Sequence, residues 1–223
     1  MKVSEIFLSI EGEGIRTGAP AVFVRLFGCN IRCAYCDSLY AIEGSDFSEM
    51  SPEEILEKVR SFRSNYVTLT GGEPLIHADV EKLLKLLDDA GFEINIETNG
   101  TRPRPVGFKN VFCTMDWKLP SSGMRKEKYF SNLITLEDHD VLKFVVGNLE
   151  DLLDAAQVVE TLESEFERDR RKLPMFYVSP IFGTMPYEDM VNWILANDAM
   201  RRNNTRFQVQ LHKIVWDPSA RGV

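Results

Sequence analysis

Short runs rich in β-branched and aromatic residues recur at positions 21–26, 66–69, 92–96, 111–114, 141–146, 175–178 and 207–211. Each predicts a strand. The first six residues also alternate polar and apolar positions as a strand does. Between several of these runs the apolar period changes to that of a helix. Ser51-Pro52-Glu53-Glu54 supplies an N-cap, a first-turn proline and a capping-box glutamate ahead of Ile55, Leu56 and Val59. A second helix is predicted from about Asp79 through Val80, Leu83, Leu84 and Leu87 to Gly91, where glycine can take the left-handed conformation that ends a helix. Asn148 caps a third predicted helix over about 149–166, and Tyr187–Ala196 is a fourth.

Alternating strand and helix predicts a parallel α/β sheet. The helices are too few for eight strand–helix units, and positions 101–110 and 117–140 carry little helical periodicity. The expected fold is therefore an incomplete, TIM-like parallel β/α barrel with reduced helical content, loop-rich on one side. The 223 residues, 44% of them hydrophobic, suit one core, and no Pro/Gly/Ser-rich linker divides them, so residues 1–223 are expected to form a single domain.

No apolar run reaches the roughly 18 residues of a membrane span, and the N-terminus lacks the apolar core and cleavage site of a signal peptide. The expectation is a cytoplasmic protein without a membrane partner. A net charge of −8 argues against nucleic acid, whose binding rests on clustered Lys and Arg. The basic run Arg168-Asp169-Arg170-Arg171-Lys172 reads as a solvated helix end.

Three of the four cysteines fall within eight residues, in Gly28-Cys29-Asn30-Ile31-Arg32-Cys33-Ala34-Tyr35-Cys36-Asp37. A Cys-x3-Cys-x2-Cys arc just after a strand can hold three irons of a cubane and leave the fourth without a protein ligand. An open iron on a redox cluster can bind a small chelating molecule and pass it an electron. The alternative is a zinc site completed by Cys113 or by one of His77, His139 and His212. Cys113 alternates with hydrophobic neighbours, which marks an ordinary buried thiol. Cys29 to Cys36, Thr70-Gly71-Gly72-Glu73-Pro74, Glu97-Thr98-Asn99-Gly100, Asp116 to Lys118 and Ser179-Pro180 each follow a predicted strand, the end of a parallel barrel where functional loops gather.

The cysteine spacing, the aromatic residue before the last cysteine and the Gly-Gly-Glu-Pro segment resemble the radical S-adenosylmethionine superfamily. The start, Glu5 to Gly14 and Gly18 to Arg25, and the end, Gln210-Leu211-His212-Lys213 with Trp216 and Arg221-Gly222-Val223, resemble its 7-carboxy-7-deazaguanine synthase family. The resemblance implies a carbon–nitrogen lyase of 7-deazapurine (queuosine or archaeosine) biosynthesis. It converts 6-carboxy-5,6,7,8-tetrahydropterin to 7-carboxy-7-deazaguanine with release of ammonia, using a 4Fe-4S cluster, S-adenosylmethionine and Mg2+. It also implies an electron donor such as flavodoxin or ferredoxin, and a homodimer. Matching positions imply cluster ligands Cys29, Cys33 and Cys36, and Ser38 as the magnesium ligand. The implied cofactor contacts are Tyr35, Cys36, Asp37, Gly72, Glu73, Asp116, Trp117, Lys118 and Ser179. The implied substrate contacts are Ile10, Glu11, Gly12, Arg25, Thr70 and His212, with Lys143 as a further candidate. No side chain is implied as a direct acid or base. Arg25 offers a planar fork suited to a carboxylate, and Glu11 and Glu13 can accept from pterin N–H groups. Members often carry glutamine at the position of Glu11, and Ser-Pro-Lys where this chain has Asp116-Trp117-Lys118. A second reading keeps the cluster but makes the protein an activase that takes hydrogen from a partner polypeptide.

Overall fold

The computed structural model describes residues 1–124 and 129–223. Its described strands are β1 (Lys2–Ile10), β2 (Pro20–Leu26), β3 (Ser48–Glu49), β4 (Tyr66–Gly71), β5 (Glu93–Thr98), β6 (Val111–Trp117), β7 (Val141–Val146), β8 (Met175–Pro180) and β9 (Arg206–Phe207). They form one sheet in the order β3-β1-β2-β4-β5-β6-β7-β8-β9. From β2 to β9 every neighbour is parallel, whereas β1 runs antiparallel to β2 and β3. The antiparallel edge departs from the expected parallel sheet because β1 returns through a short connection, Glu11 to Ala19, which holds one 3-10 turn (Gly14–Arg16) and no α-helical crossover.

Outside the sheet lie α1 (Pro52–Ser61), α2 (Val80–Asp89), α3 (Phe130–Leu133), α4 (Leu149–Arg168), α5 (Tyr187–Ala196), α6 (Asp198–Arg202) and α7 (His212–Val215). The caps read from the sequence are present. Ser51 accepts from Glu54 N while Glu54 accepts from Ser51 N, and Asn148 accepts from Asp151 N. The apolar stripes of α1 and α2 cover β1, β2, β4 and β5 through Ile55, Leu83, Leu87, Val24, Leu69 and Ile96, while α4 and α5 cover β6 to β8 through Leu152, Val159, Met190, Phe144 and Phe176. Among the described residues no α-helix separates β5 from β6, and α3 is the one α-helix between β6 and β7. Positions 125–128 of that expected loop-rich stretch lie outside the described residues.

The sheet curls without closing. Across the gap, Gly14 N donates to Gln208 Oε1 at 2.8 Å and Leu211 N to Gly12 O at 3.0 Å, so the β1–β2 connection meets the chain beyond β9. Among the described residues no helix is long and apolar enough to cross a membrane.

Candidate active site

The C-terminal ends of β2 to β8 open on a cavity of about 560 Å3, within the ordinary range of ligand sites. Cys29, Cys33 and Cys36 line it, each half-buried. Their loop is anchored at its start, where Gly28 N donates to Ala41 O and Gly28 O accepts from Glu73 N, both at 2.8 Å. Within it, the Arg32 guanidinium donates to Cys29 O and Ile31 O at 2.9 Å, and Asn99 Nδ2 lies 3.6 Å from Cys29 Sγ. Burial pushes the Cys33 and Cys36 thiols up, so their charged form needs a metal to hold it. Among the described residues no three His, Cys, Asp or Glu converge on one ion-sized point. A cubane does not require that, because each thiolate binds a different iron.

Two glycines set how closely the loops approach. A Cβ on Gly72 would lie 2.1 Å from Gly28 O, and one on Gly71, at φ +136°, 2.0 Å from Leu26 O. The Gly-Gly segment thus lets the end of β4 press against the chain leading to Cys29.

Across the cavity runs a chain of alternating charge. Lys143 pairs with Glu13 and, at 3.1 Å, with Asp116 Oδ1; Lys118 pairs with Asp116 Oδ2 at 3.2 Å. Burial opposes ionisation of Asp116, but Lys143 and Lys118 outweigh it and hold the carboxyl below its ordinary range. Arg25 Nε donates to Glu5 at 2.7 Å, and Tyr40 donates to the same oxygen. Lys213 donates to Asp37 at 2.8 Å. Burial acts against the Asp37 charge, yet Lys213 brings the carboxyl down to about 2. Ser38 donates to the other Asp37 oxygen at 3.1 Å.

Of the residues implied by resemblance, Ile10, Glu11, Gly12, Arg25, Tyr35, Cys36, Asp37, Ser38, Thr70, Gly72, Asp116, Lys118 and His212 line this one cavity. Glu73, Trp117 and Ser179 do not. Glu73 is wholly buried, and its carboxylate accepts from Leu75 N, Thr98 Oγ1 and Asn99 N, so it braces two strand-end loops behind the cavity wall. Strand alternation turns Trp117 away from Asp116 into the core, edge-on to Phe130. Ser179 is buried just before Pro180, Ile181 and Phe182, which do line the cavity. Glu11 reaches the lining but aims its carboxylate inward, to Arg16 at 2.7 Å and to Thr68. His212 packs so closely on Gly12 that a Cβ there would lie 2.2 Å from its Nδ1.

Residues to which no contact role was assigned from the sequence also line the cavity, among them Glu97, Asn99 and Tyr40. The first two sit in the strand-end Glu-Thr-Asn-Gly segment, whose position was the available signal. Glu97 accepts from Thr70 Oγ1 at 2.6 Å, and burial pushes its carboxyl up to about 7.

The Tyr35 hydroxyl is buried in the cavity lining and has no hydrogen-bond partner among the described residues. Such an atom suits a polar ligand, as the three thiols suit a cluster, and the residues present fit both groups. The partial barrel with a thiol triad at its mouth defines an iron–sulfur enzyme of the radical S-adenosylmethionine class, and residues 24–112 match the Radical SAM superfamily. The chain is 40% identical over 227 residues to the 7-carboxy-7-deazaguanine synthase of Clostridium acetobutylicum, covering 100% of this chain and 99% of that one. It is 38% identical to the synthase of Methanospirillum hungatei over 98% and 86% of the two chains. The crystal structure of QueE from Escherichia coli superposes with a TM-score of 0.72 at 26% identity, covering 94% and 93%. Streptococcus suis SuiB, at 15% identity and a TM-score of 0.59, shares the fold. The chain belongs to the 7-carboxy-7-deazaguanine synthase family.

Proposed function

We propose that this chain converts 6-carboxy-5,6,7,8-tetrahydropterin to 7-carboxy-7-deazaguanine with release of ammonia. The observation that carries the reading is a single cavity with three cluster thiols on one side and an alternating set of buried cations and carboxylates on the other. A carboxylated, N–H-rich heterocycle is complementary to that set. Arg25, held at Nε by Glu5, presents a guanidinium to the substrate carboxylate, and Glu13 accepts from ring N–H groups.

Cys29, Cys33 and Cys36 hold the cluster, and Tyr35, Asp37, Gly72, Asp116 and Lys118 surround the place for S-adenosylmethionine. When bound, the cluster and S-adenosylmethionine would supply reversible hydrogen abstraction, taking one substrate hydrogen and later returning it. The protein's own part is to desolvate the pterin and fix its carboxylate. Ser38 is the proposed hydroxyl ligand for Mg2+, a hard cation that takes oxygen donors and keeps waters. A small iron–sulfur or flavin protein is the proposed electron donor.

The test is anaerobic reconstitution with iron and sulfide, followed by reduction in the presence of S-adenosylmethionine, Mg2+ and the carboxypterin. Formation of the deazaguanine acid, with its loss on Arg25→Met, supports the reading. Absence of product from a protein carrying a full cluster would overturn it. A radical formed instead on an added polypeptide would favour the activase.

A further inference from the structure

Among the described residues, Glu97 is the cavity side-chain carboxyl without an ion-pair partner. Its acidic neighbours each have one: Glu11 pairs with Arg16, Glu13 and Asp116 with Lys143, Glu5 with Arg25, and Asp37 with Lys213. Glu97 instead accepts the Thr70 hydroxyl at 2.6 Å, which fixes one carboxyl oxygen at the end of β5. The charged groups facing it are Arg25 on β2, Lys143 on β7, and Glu11 and Glu13 on the β1–β2 connection. Asp116 and Lys118 on β6 and His212 on α7 line the same cavity. Burial raises the Glu97 carboxyl most; Lys143 opposes that rise and the two glutamates add to it, with about 7 as the result. Near neutral pH it can therefore either give or take a proton.

The proposed reaction needs such a group. After the radical steps have returned the substrate hydrogen, an amino nitrogen must leave one ring carbon, and the neighbouring carbon must lose a proton to make the five-membered ring aromatic. We propose that Glu97 is the acid and base of this non-radical half of the reaction, with Thr70 as its positioning residue. Neutral Glu97 gives its proton to the departing nitrogen, whose bond to carbon breaks with the electron pair leaving on nitrogen, and ammonia is released. The carboxylate then takes the proton of the adjacent C–H bond, whose electron pair becomes the ring double bond. The side chain ends as it began, and no oxidant or reductant is consumed. This inference rests on the pterin reading.

The test compares wild type with the nearly isosteric Glu97→Gln variant, using carboxypterin carrying deuterium at the carbon from which the radical abstracts. The expected result for the variant is a cluster spectrum and S-adenosylmethionine affinity like wild type, deuterium still passing into the adenosyl group, and ammonia release slowed by about 100-fold or more. The wild-type kcat should carry a pH limb near neutrality that the variant lacks. Ammonia release within about threefold of wild type, with the same limb, would overturn the proposal. Should the glutamine variant fail to load its cluster, Glu97→Asp decides. Turnover with a displaced limb supports the role, and an unmoved limb overturns it. Absence of product from wild type would instead overturn the pterin reading itself.

Discussion

Replacing Arg16 by methionine removes the cation against which Glu11 is folded. Arg16 is nearly inaccessible, with its side chain 6% exposed and that of Glu11 2%. Its guanidinium donates to Glu11 at 2.7 Å, Thr68 at 2.9 Å, Val67 O at 3.1 Å and Glu93 O at 2.9 Å, and lies over the rings of Tyr66 and Phe112 at 4.9 and 5.2 Å. Removing one partner of a buried pair strands the other, which costs about 3–5 kcal/mol. In a chain of this length that cost lowers Tm by about 6–20 °C. The loss depends on pH. Burial already raises the Glu11 carboxyl, and without Arg16 it rises further. A carboxyl raised in the fold contributes stability below its unfolded value and loses it as pH climbs through the folded value, so the deficit should be larger at pH 8 than at pH 5. Glu11→Gln removes the stranded charge, and the double variant should recover about 2 kcal/mol relative to the sum of the singles. Guanidinium unfolding of the cluster-free protein, followed by circular dichroism at both pH values, measures all four corners. A cost under about 1 kcal/mol at pH 8, or additive singles, would refute the reasoning.

Three further outcomes follow from the same geometry. Glu97 sits at about 7 against an ordinary 4.5, so its stabilising contribution below pH 4.5 is lost as pH rises through 7. Glu97→Gln should therefore gain up to about 3 kcal/mol on wild type between pH 5 and pH 8 in thermal melts, and a constant difference would contradict the assigned environment. Gly72→Ala drives a Cβ against Gly28 O and Ile42 Cγ2, at 2.1 and 2.5 Å. Overpacking of this kind costs about 1–3 kcal/mol, and iron and sulfide analysis should find most of the cluster gone. Lys213→Met leaves Asp37, held down to about 2, without its cation. Wild type should then be the more stable at pH 5, by under about 1 kcal/mol because the carboxylate is half-exposed, and the advantage should vanish as Asp37 protonates near pH 2.

The barrel was legible because its central strands are covered on the outer face by helices whose apolar stripes repeat at the helical period. Val24, Leu69 and Ile96 face Ile55, Leu83 and Leu87 in that way. The ends were less legible. The run at 207–211 forms only a two-residue strand, Arg206–Phe207, because the chain then turns to meet Gly12 across the open seam. α6 and α7, at five and four residues, are too short to leave a period. In the site, cysteine spacing displayed the cluster ligands, since soft ligands in a short arc have few other uses. Glu11 facing Arg16, and Glu73 serving as a brace, could not be read from the sequence. A carboxylate's role depends on which side of its strand the nearest cation lies, and only tertiary packing sets that. The sequence marked the segment of Glu97 but not its role, for the same reason: among the described residues no cation forms an ion pair with it.

The most direct test of the account counts products. Reconstituted wild-type protein is turned over anaerobically with excess carboxypterin and a limiting, known amount of S-adenosylmethionine, and the deazaguanine acid and free 5′-deoxyadenosine are quantified together. The expected result is several molecules of deazaguanine acid for each S-adenosylmethionine consumed, because the abstracted hydrogen is returned, and no product when Cys29, Cys33 or Cys36 is replaced by alanine. One 5′-deoxyadenosine released per event with no deazaguanine acid, from protein carrying a full cluster, would contradict it.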